Sequence, residues 1–283
     1  MEYAFLEHET PATIYRCFIE AFSDYLVEMQ PSYQRFQRMI LRNGVDLRFS
    51  VGAYDDELVG FILNGNGMWK NTPALYDSGT ALIKEYRGKA HAPTMFDLVQ
   101  EKMQQNAIST YLLEVIQENT SAFSLYQKRG FFITRELTCL SVDKAHISSP
   151  DCSEDIVIRN KSSPDWNAFT SFWNSYPSWQ NSIQAMERMF SHLHILGAYT
   201  ETECIGYIIF QQTSGEIFQC AIKKAWRKKG IGSLLLHESA NNIHNTVIKI
   251  LNVDKNDEST LQFLNSCGFT RDIDQYEMLL KLP

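Results

Sequence analysis

The pattern of hydrophobic and polar residues follows the same order twice along this chain. Each copy begins with a short apolar stretch typical of a strand, continues with amphipathic helical segments, and then alternates in the two-residue period of β-strands. Later in each copy a β-like run enters a basic loop, a helix and a strand follow, and a last helix ends at a Gly-Phe pair. The pattern therefore predicts two α/β domains with the order β, helices, β, β, β, helix, β, helix, β.

The two copies carry matching landmarks. Arg87 and Arg227 each follow the fourth strand of their copy. Gly130 and Gly268 each end the last helix, where glycine is the expected left-handed cap. The number of residues from Arg87 to Arg227 is nearly the same as the number from Gly130 to Gly268. Two unrelated segments would share this spacing only by chance. The predicted strands are 3–6, 49–54, 58–63, 74–83, 111–116, 156–159, 194–199, 204–210, 216–222 and 247–253, and the helices around them include 13–29, 121–128, 165–176 and 259–264.

A polar segment separates the two copies. Residues 148–155 contain proline, serine and acidic side chains and interrupt the hydrophobic pattern, as linkers do. The chain is therefore predicted to hold an N-terminal domain at 1–147, a linker at 148–155 and a C-terminal domain at 156–283. Each domain is long enough to bury a hydrophobic core of its own.

Composition narrows the class of protein. Of the 283 residues, 44% are hydrophobic and 21% are charged, which is typical of globular chains. No apolar run approaches the ~20 residues that cross a bilayer, and the N-terminal residues lack the basic and apolar regions of a signal peptide. We therefore expect a cytoplasmic protein without a membrane partner.

Charge and cysteine spacing argue against two further classes. The net charge of −7 is unfavourable for a nucleic-acid partner. The six cysteines are scattered, with no pair or Cys/His cluster at zinc-ligand spacing, so no metal site is expected. The sequence leaves the oligomeric state open.

The loop at 227–232 carries the clearest chemistry. It reads Arg-x-x-Gly-x-Gly between a strand and a helix, so that consecutive backbone N–H groups and the positive end of a helix dipole face one point. Gly230 and Gly232 lack the Cβ that would keep a phosphate from the backbone. The Gly-Lys-Ser/Thr of a Walker motif is missing, and Leu235 replaces the third glycine of the dinucleotide fingerprint. The predicted ligand is a coenzyme with a pyrophosphate.

A second motif surrounds the last helix of the first copy. Residues 119–131 fit the string Asn-x-x-Ala-x-x-Leu-Tyr-x₄-Gly-Phe at every fixed position, from Asn119 through Tyr126 to Phe131. Together with a strand, the loop (Gln/Arg)-x-x-Gly-x-(Gly/Ala), a helix and a strand, this order resembles the GNAT (Gcn5-related N-acetyltransferase) superfamily. The resemblance covers nearly the whole chain. It implies an α/β fold with a mixed sheet, in two tandem GNAT-like acyl-CoA-binding domains.

The resemblance also implies a cofactor and a reaction. Acetyl-CoA would lie in a V-shaped gap between two splayed parallel strands, and a primary amine of a small molecule would attack the thioester directly, with no covalent enzyme intermediate. The pantetheine would pair with the backbone near Leu82 or Ile222. The implied cofactor-binding residues are Leu82, Arg87, Gly88, Lys89, Ala90, His91, Ala92, Asn119, Ile222, Arg227, Lys228, Lys229, Gly230, Ile231 and Gly232.

Proton transfer needs an acid for the leaving thiolate and a base for the amine. Tyr126 is the predicted general acid, and Glu114 in the strand before it is the predicted base, acting through water. Asp77 in the fourth strand is a second candidate for the base. The competing interpretations are a tyrosine packed in the core and ordinary hydrogen-bonded carboxylates.

Each copy departs from the family pattern in a different place. Ala90 replaces the first loop glycine of the N-terminal copy, where a Cβ crowds the phosphate or adds strain if φ is positive, so weaker cofactor binding is expected. In the C-terminal copy Leu264 stands at the position of Tyr126, and Asp257 stands at that of Asn119. The N-terminal copy is the favoured catalytic one, since chemistry is harder to replace than a loop glycine. A C-terminal copy that works without a side-chain acid, or only binds the coenzyme, stays open.

The acceptor side and the reaction also leave alternatives open. The candidate acceptor-contacting residues are Phe22, Tyr25, Trp173 and Trp179. Packing at an interface is the competing interpretation of these aromatic side chains. The alternative function is a non-catalytic acyl-CoA-binding or sensor protein with degenerate domains, and transfer of a longer acyl chain is a third hypothesis.

Overall fold

The computed structural model describes residues 1–150 and 156–282 and divides into two compact units. The N-terminal unit holds Met1–Thr134 together with the chain from Tyr276 onward, and the C-terminal unit holds Arg135–Gln275. Residues 151–155 of the predicted linker lie outside the described residues. The predicted domain bounds stay a prediction; contacts assign the end of the last strand to the N-terminal unit.

The N-terminal unit follows the predicted order of elements. Its strands are β1 (Glu2–Phe5), β2 (Val51–Asp55), β3 (Glu57–Trp69), β4 (Thr72–Leu82) and β5 (Thr110–Ile116). Its helices are α1 (Pro11–Ala21), α2 (Tyr33–Asn43), α3 (His91–Gln105) and α4 (Thr120–Lys128). Strands β1 to β4 pair in antiparallel order, and β4 pairs in parallel with β5.

The C-terminal unit repeats this arrangement. Strand β6 (Phe132–Asp143) starts in the N-terminal unit, and β12 (Thr270–Lys281) ends there. Between them lie β7 (Val157–Asn160), α5 (Trp166–Ser171), α6 (Ile183–Met189), β8 (His194–Tyr199), β9 (Cys204–Phe210), β10 (Glu216–Ile222), α7 (Ile231–Asn242), β11 (Val247–Asp254) and α8 (Glu258–Ser266). Strands β7 to β10 are antiparallel, β10 pairs in parallel with β11, and β11 pairs with β6.

Helix α1 is shorter than the predicted helix at 13–29. Thr10 caps its start, because the side-chain oxygen of Thr10 accepts a hydrogen bond from the backbone of Thr13 at 3.1 Å. The helix ends at Ala21. The chain beyond it turns toward the loop after β4, where Asp24 forms an ion pair that hydrophobic periodicity does not reveal.

Each unit buries one face of its loop-following helix. The buried residues of α3 are Met95, Phe96, Val99 and Met103, and those of α7 are Ile231, Leu235, Leu236, Ser239 and Ala240. Burying a large apolar side chain contributes about 1.5–3 kcal/mol, so these faces hold the start of each helix beside the preceding strand. Among the described helices, none combines the length and the apolar composition needed to cross a bilayer.

Candidate functional site

Two parallel strands separate in each unit. Strands β4 and β5 pair from Ala74 to Asp77, and β4 then continues to Leu82 without further partners on β5. Strands β10 and β11 pair at Glu216 and Ile217 and separate at the equivalent place, directly before Phe218. Each unit therefore contains the V-shaped gap that the resemblance implies.

A β-bulge precedes the separation in both units. In β4 the extra residue is Ser78, between the partners of Asn64 and Leu63 on β3. In β10 it is Phe218, at the same place relative to the following loop. A bulge bends its strand and increases the local twist, so it turns β4 and β10 away from their parallel neighbours.

The loop of the C-terminal unit is shaped for an anion. Lys228 and Gly230 have φ of 61° and 80°. No side chain of the described residues caps α7, so the N–H groups of Ile231, Gly232 and Ser233 at its first turn remain for a ligand. At Gly232 a Cβ would lie 3.1 Å from the ring of Phe263. The close packing of this ring against the helix therefore accounts for a glycine at this position. A pyrophosphate fits this donor set.

The loop of the N-terminal unit has fewer backbone N–H donors for an anion at the start of its helix. Gly88 has φ of 74° and Ala90 has φ of 61°. A positive φ strains the backbone at Ala90, because alanine has a Cβ. The third residue of α3 is Pro93, which has no N–H to offer. His91, the first residue of α3, is engaged through Nδ1 with the Tyr3 hydroxyl at 2.7 Å. Pro93 directly follows Ala92, the last position of the loop motif, so the comparison with the motif did not reveal the missing N–H donor.

The two loop arginines make equivalent contacts within their units. In the N-terminal unit Arg87 donates to the carbonyls of Leu82 and Ala21 and pairs with Asp24, which lowers the pKa of that carboxyl. Arg227 donates in the same way to the carbonyls of Ile222 and Phe172 and to Asn174 Oδ1, at 2.7–2.9 Å. Both guanidinium groups tie the loop to the end of the first helix of their unit. Their predicted role at the phosphate stays a prediction.

The loop lysines lie beside aromatic rings. Lys89 Nζ lies 5.6 Å from the ring centre of Tyr86, and Lys229 Nζ lies 4.6 Å from that of Trp226. Cation–π contact of this kind keeps both ammonium groups at the loop surface.

The C-terminal unit encloses a cavity of about 560 Å³. Its wall is continuous from the loop and the start of α7 to the separating parts of β10 and β11, the start of α8, and the segment at 172–178. Ile222 and Trp173 are among the residues that line it, as predicted for a cofactor and an acceptor contact. Trp179 is only 1% exposed and is not part of the wall.

A chain of hydrogen bonds crosses the floor of this cavity. Trp173 Nε1 donates to the Tyr207 hydroxyl at 2.6 Å, and that hydroxyl donates to Gln219 Oε1 at 2.8 Å. Gln219 Nε2 donates to the Asn181 carbonyl at 2.6 Å, and Asn181 Nδ2 donates to the Leu251 carbonyl at 2.9 Å. The turn at Asn181 thereby bridges β10 and β11 just beyond their last paired residues. Sequence reasoning missed this bridge, because its members come from five separate segments.

In the N-terminal unit the matching region holds a buried carboxylate. Asp77 Oδ2 accepts from Thr80 Oγ1 at 2.7 Å and from the Tyr126 hydroxyl at 3.4 Å, and Asp77 Oδ1 accepts from the backbone N–H of Gly79 at 2.9 Å. Burial raises the pKa of Asp77 to about 6 despite these donors. Burial and the nearby Asp77 also raise the pKa of Tyr126 well above its usual value. The structure brings Tyr126 together with Asp77, the second base candidate.

Glu114, the first base candidate, lies elsewhere. It follows Leu113, the partner of Asp77 on β5, so strand alternation directs Glu114 to the opposite face of the sheet from Asp77. There its carboxylate accepts a hydrogen bond from the Tyr76 hydroxyl. Its predicted role as base is untested, but the geometry favours Asp77 as the carboxylate next to Tyr126.

The acceptor candidates of the N-terminal unit cover the start of α4. The Tyr25 hydroxyl accepts from Asn119 Nδ2 at 3.4 Å, while Asn119 Oδ1 caps the helix by accepting from Ala122. Phe22 lies edge-on to Tyr25 and is 7% exposed. Burial raises the pKa of Tyr25.

Comparison with known proteins gives a consistent result. The family model described as "Acetyltransferase (GNAT) family" matches residues 12–131, and the model described as "Acetyltransferase (GNAT) domain" matches residues 155–278. No curated protein matches the chain by sequence.

Solved structures share the fold at low identity. A GCN5-related N-acetyltransferase from Sphaerobacter thermophilus is 16% identical, with a TM-score of 0.73 over 96% of this chain and 93% of its own. A tandem GNAT protein from the clavulanic acid biosynthesis pathway is 12% identical, with a TM-score of 0.71 over 99% and 98%. The glucosamine N-acetyltransferase region of a fungal β-N-acetylglucosaminidase is 13% identical, with a TM-score of 0.75 over 98% of this chain and 38% of the longer protein.

Proposed function

Because the chain belongs to the GNAT superfamily in its tandem two-domain form, we propose that it transfers acetyl from acetyl-CoA to a primary amine of a small molecule. The observation that carries this proposal is the cavity of about 560 Å³ in the C-terminal unit. It joins a loop suited to pyrophosphate with a gap between splayed strands. Both parts are what a long thioester with an internal pyrophosphate requires.

The residues of the C-terminal unit divide the binding of acetyl-CoA, which supplies the reactive acetyl thioester. The N–H groups of Ile231, Gly232 and Ser233 would hold the pyrophosphate. The backbone of β10 from Gln219 to Ile222 would hold the pantetheine, because β11 has already separated from it there. This assignment gives the cofactor to the C-terminal unit rather than to the N-terminal one.

Catalysis in this unit would depend on positioning. Leu264 and Ile217 occupy the positions that Tyr126 and Asp77 hold in the other unit, and both are buried and apolar. Direct attack by an oriented amine would form the C–N bond and break the C–S bond with no covalent enzyme intermediate, while solvent water takes the proton of the amine and returns one to the coenzyme A thiolate. Orientation alone can remove about 7–11 kcal/mol of barrier. Backbone N–H groups of the strand edge would polarise the carbonyl. In this proposal Tyr126 and Asp77 belong to the buried packing of the N-terminal unit and take no part in transfer.

A specific observation also favours the second candidate function, a non-catalytic acyl-CoA-binding or sensor protein. The unit with the cavity lacks the tyrosine and the carboxylate, and the unit that has them carries the weaker loop. Saturable binding of acetyl-CoA without acetylation of any amine would support that function over transfer.

The decisive experiment is calorimetry with acetyl-CoA on the intact protein, Gly230→Glu and the matched Ala90→Glu. Each glutamate places a carboxylate at the N-cap of a loop-following helix, so that electrostatic repulsion acts on the phosphates. We expect one binding event that Gly230→Glu removes and Ala90→Glu leaves intact. Thermal unfolding of both variants checks that each remains folded.

The opposite pattern would assign the cofactor to the N-terminal unit. Loss in both variants would indicate two occupied sites. Absence of binding to the intact protein would refute the cofactor assignment together with the enzymatic function.

A further inference from the structure

The cavity of the C-terminal unit adjoins an outer depression on the same unit. Asn256 and Glu258 are exposed and line only the outer depression. Side chains that line both spaces form the partition between them. The residues common to both walls are Asn174, Ser175, Arg227, Asp254, Asp257 and Ser259. An amine that enters the cavity from the outer depression must therefore pass this partition.

One side chain ties the partition together. Asn174 Oδ1 accepts a hydrogen bond from Arg227 Nη1 at 2.7 Å. Asn174 Nδ2 donates to Asp257 Oδ1 at 3.0 Å and to Ser259 Oγ at 2.8 Å. Arg227 lies in the loop after β10, whereas Asp257 caps α8, which follows β11. These bonds of the Asn174 amide, which we call the Asn174 link, thus join the two sides of the gap between the separating strands.

The Asn174 link lies on the α5 side of the sheet. Strand alternation in β10 directs Cys220 toward the core of α7 and α8, and Ala221 toward the apolar cluster that contains Phe172. The Arg227 guanidinium reaches this second side, where it donates to the Phe172 carbonyl at 2.7 Å. Helix α7, whose first turn offers the N–H groups for a pyrophosphate, packs on the other side. A coenzyme held at α7 therefore leaves the side of the Asn174 link as the approach of an acceptor to the thioester.

The N-terminal unit uses two residues at the corresponding place. Asp24 forms an ion pair with Arg87 through two hydrogen bonds of 2.7 and 3.0 Å. Tyr25 contacts Asn119, the cap of α4, at 3.4 Å. In the C-terminal unit one neutral amide makes both contacts, because the asparagine side chain has an acceptor and a donor. Asn174 is exposed, so water can replace its partners, and the link can open at a small cost in free energy.

We propose that the Asn174 link gates the entrance through which an acceptor amine passes from the outer depression into the C-terminal cavity. A narrow amine passes the closed link, whereas a wide one reaches the thioester only after Asn174 has left Arg227 or Asp257. Asn174 is thus a specificity-determining residue that selects narrow acceptors. The inference rests on the proposed function, because the coenzyme in this unit defines which side is left for the acceptor.

The test measures binding without transfer, by calorimetry on the full chain. The probes are coenzyme A and two conjugates in which its sulfur carries an acetamide, S–CH₂–CO–NH–R, with R either n-propyl or 1-naphthylmethyl. Their C–S bond is a thioether, so no acyl group leaves, and R extends toward the acceptor side. We expect Asn174→Ala to bind the naphthylmethyl conjugate about tenfold more tightly than the wild type does, since the link no longer has to be broken. The affinities for coenzyme A and the propyl conjugate should stay within about twofold.

A second variant separates the hydrogen bonds of Asn174 from the space that it fills. Asn174→Asp keeps the size of the side chain and its contact with Arg227, but sets a carboxylate against that of Asp257, so the link should open by repulsion. It should therefore show a similar gain in affinity for the naphthylmethyl conjugate. The matched control is Asp24→Ala, which breaks the corresponding contact with Arg87 in the N-terminal unit. It should change the affinity for none of the three probes, and thermal unfolding checks that each variant is folded.

Unchanged affinity of both Asn174 variants for the naphthylmethyl conjugate would overturn the inference while the proposed function stands. A gain in Asn174→Ala alone would also overturn it, because the side chain would then act by its size and not through the link. A gain in Asp24→Ala would overturn it by placing the acceptor entrance in the N-terminal unit. So would conjugates that fail to bind a protein that does bind coenzyme A. Failure of the intact protein to bind coenzyme A would refute the proposed function itself.

Discussion

The two units share a backbone and differ in the chemistry placed on it. Both have a bulge in the fourth strand, a parallel pair that separates, an arginine bound to the carbonyls of the strand and of the first helix, and two loop residues with positive φ. The C-terminal unit has a cavity of about 560 Å³ and three N–H donors at α7. The N-terminal unit adds a buried Asp77–Tyr126 pair, and Pro93 removes one donor at α3.

The two units therefore agree in the backbone features that place the strands and the loop-following helix. They differ in the side chains that lie inside the gap between the separating strands. The following predictions are designed to break or sharpen this division, from the largest expected effect to the smallest.

Placing a carboxylate in the C-terminal unit, at the position that corresponds to Asp77, should change the free energy of unfolding more than any other substitution below. Ile217 is 1% exposed and stands where Asp77 stands, but Leu264 offers it no hydroxyl. Ile217→Asp should lower the free energy of unfolding by about 3–5 kcal/mol at pH 7, because a buried charge is left uncompensated. Urea unfolding measures this loss, with Ile217→Val as the control. A loss below 1 kcal/mol would mean that the two environments are equivalent.

Stability should depend on pH through Asp77. Its pKa is raised to about 6 in the folded state, against about 3.9 when unfolded, so the folded state binds more protons between these values. The contribution of Asp77 is therefore full below about pH 4 and is lost as the pH rises through 6, by roughly 2–3 kcal/mol. Urea unfolding at pH 4.5 and 7.5 should show this loss of stability with rising pH in the wild type and not in Asp77→Asn. An equal pH dependence in both proteins would contradict the assignment.

Tyr126→Phe separates a structural role from a catalytic one. Removing the hydroxyl takes one donor from Asp77, so the free energy of unfolding should fall by about 0.5–1.5 kcal/mol. The turnover of acetyl-CoA with an accepted amine should stay within about twofold of the wild type, since the proposed transfer lies in the other unit. A drop in turnover of a hundredfold or more would restore Tyr126 as the general acid.

The smallest effect concerns the two strained loop residues. Ala90 and Lys228 both have φ of 61°, although each loop has a glycine at the other positive-φ position. Ala90→Gly and Lys228→Gly should each raise the free energy of unfolding by about 0.5–1 kcal/mol, because glycine adopts this conformation without cost from a Cβ. Denaturant midpoints measure both. Gly88→Ala, the reverse change, should lower stability by a similar amount.

The sequence was sufficient for features that depend on neighbours along the chain. Hydrophobic periodicity located the strands around both loops, and the spacing of Gly230 and Gly232 indicated the anion site. The predicted helix at 13–29 was too long, since α1 ends at Ala21. Beyond it Asp24 pairs with Arg87, a contact between positions far apart along the chain that periodicity does not reveal. Pro93 was readable in the sequence, and only the motif comparison passed over it.

Periodicity and motif spacing by themselves determined that this protein is two copies of one α/β unit, and they predicted a phosphate-binding loop, since both arise from local backbone preferences. The tertiary structure decided that the cavity lies in the C-terminal unit, that Asp77 rather than Glu114 meets Tyr126, and that Asn181 bridges β10 and β11. These outcomes depend on which distant segments pack together. A cavity, a buried pKa and a cross-strand bridge exist only after that packing is complete.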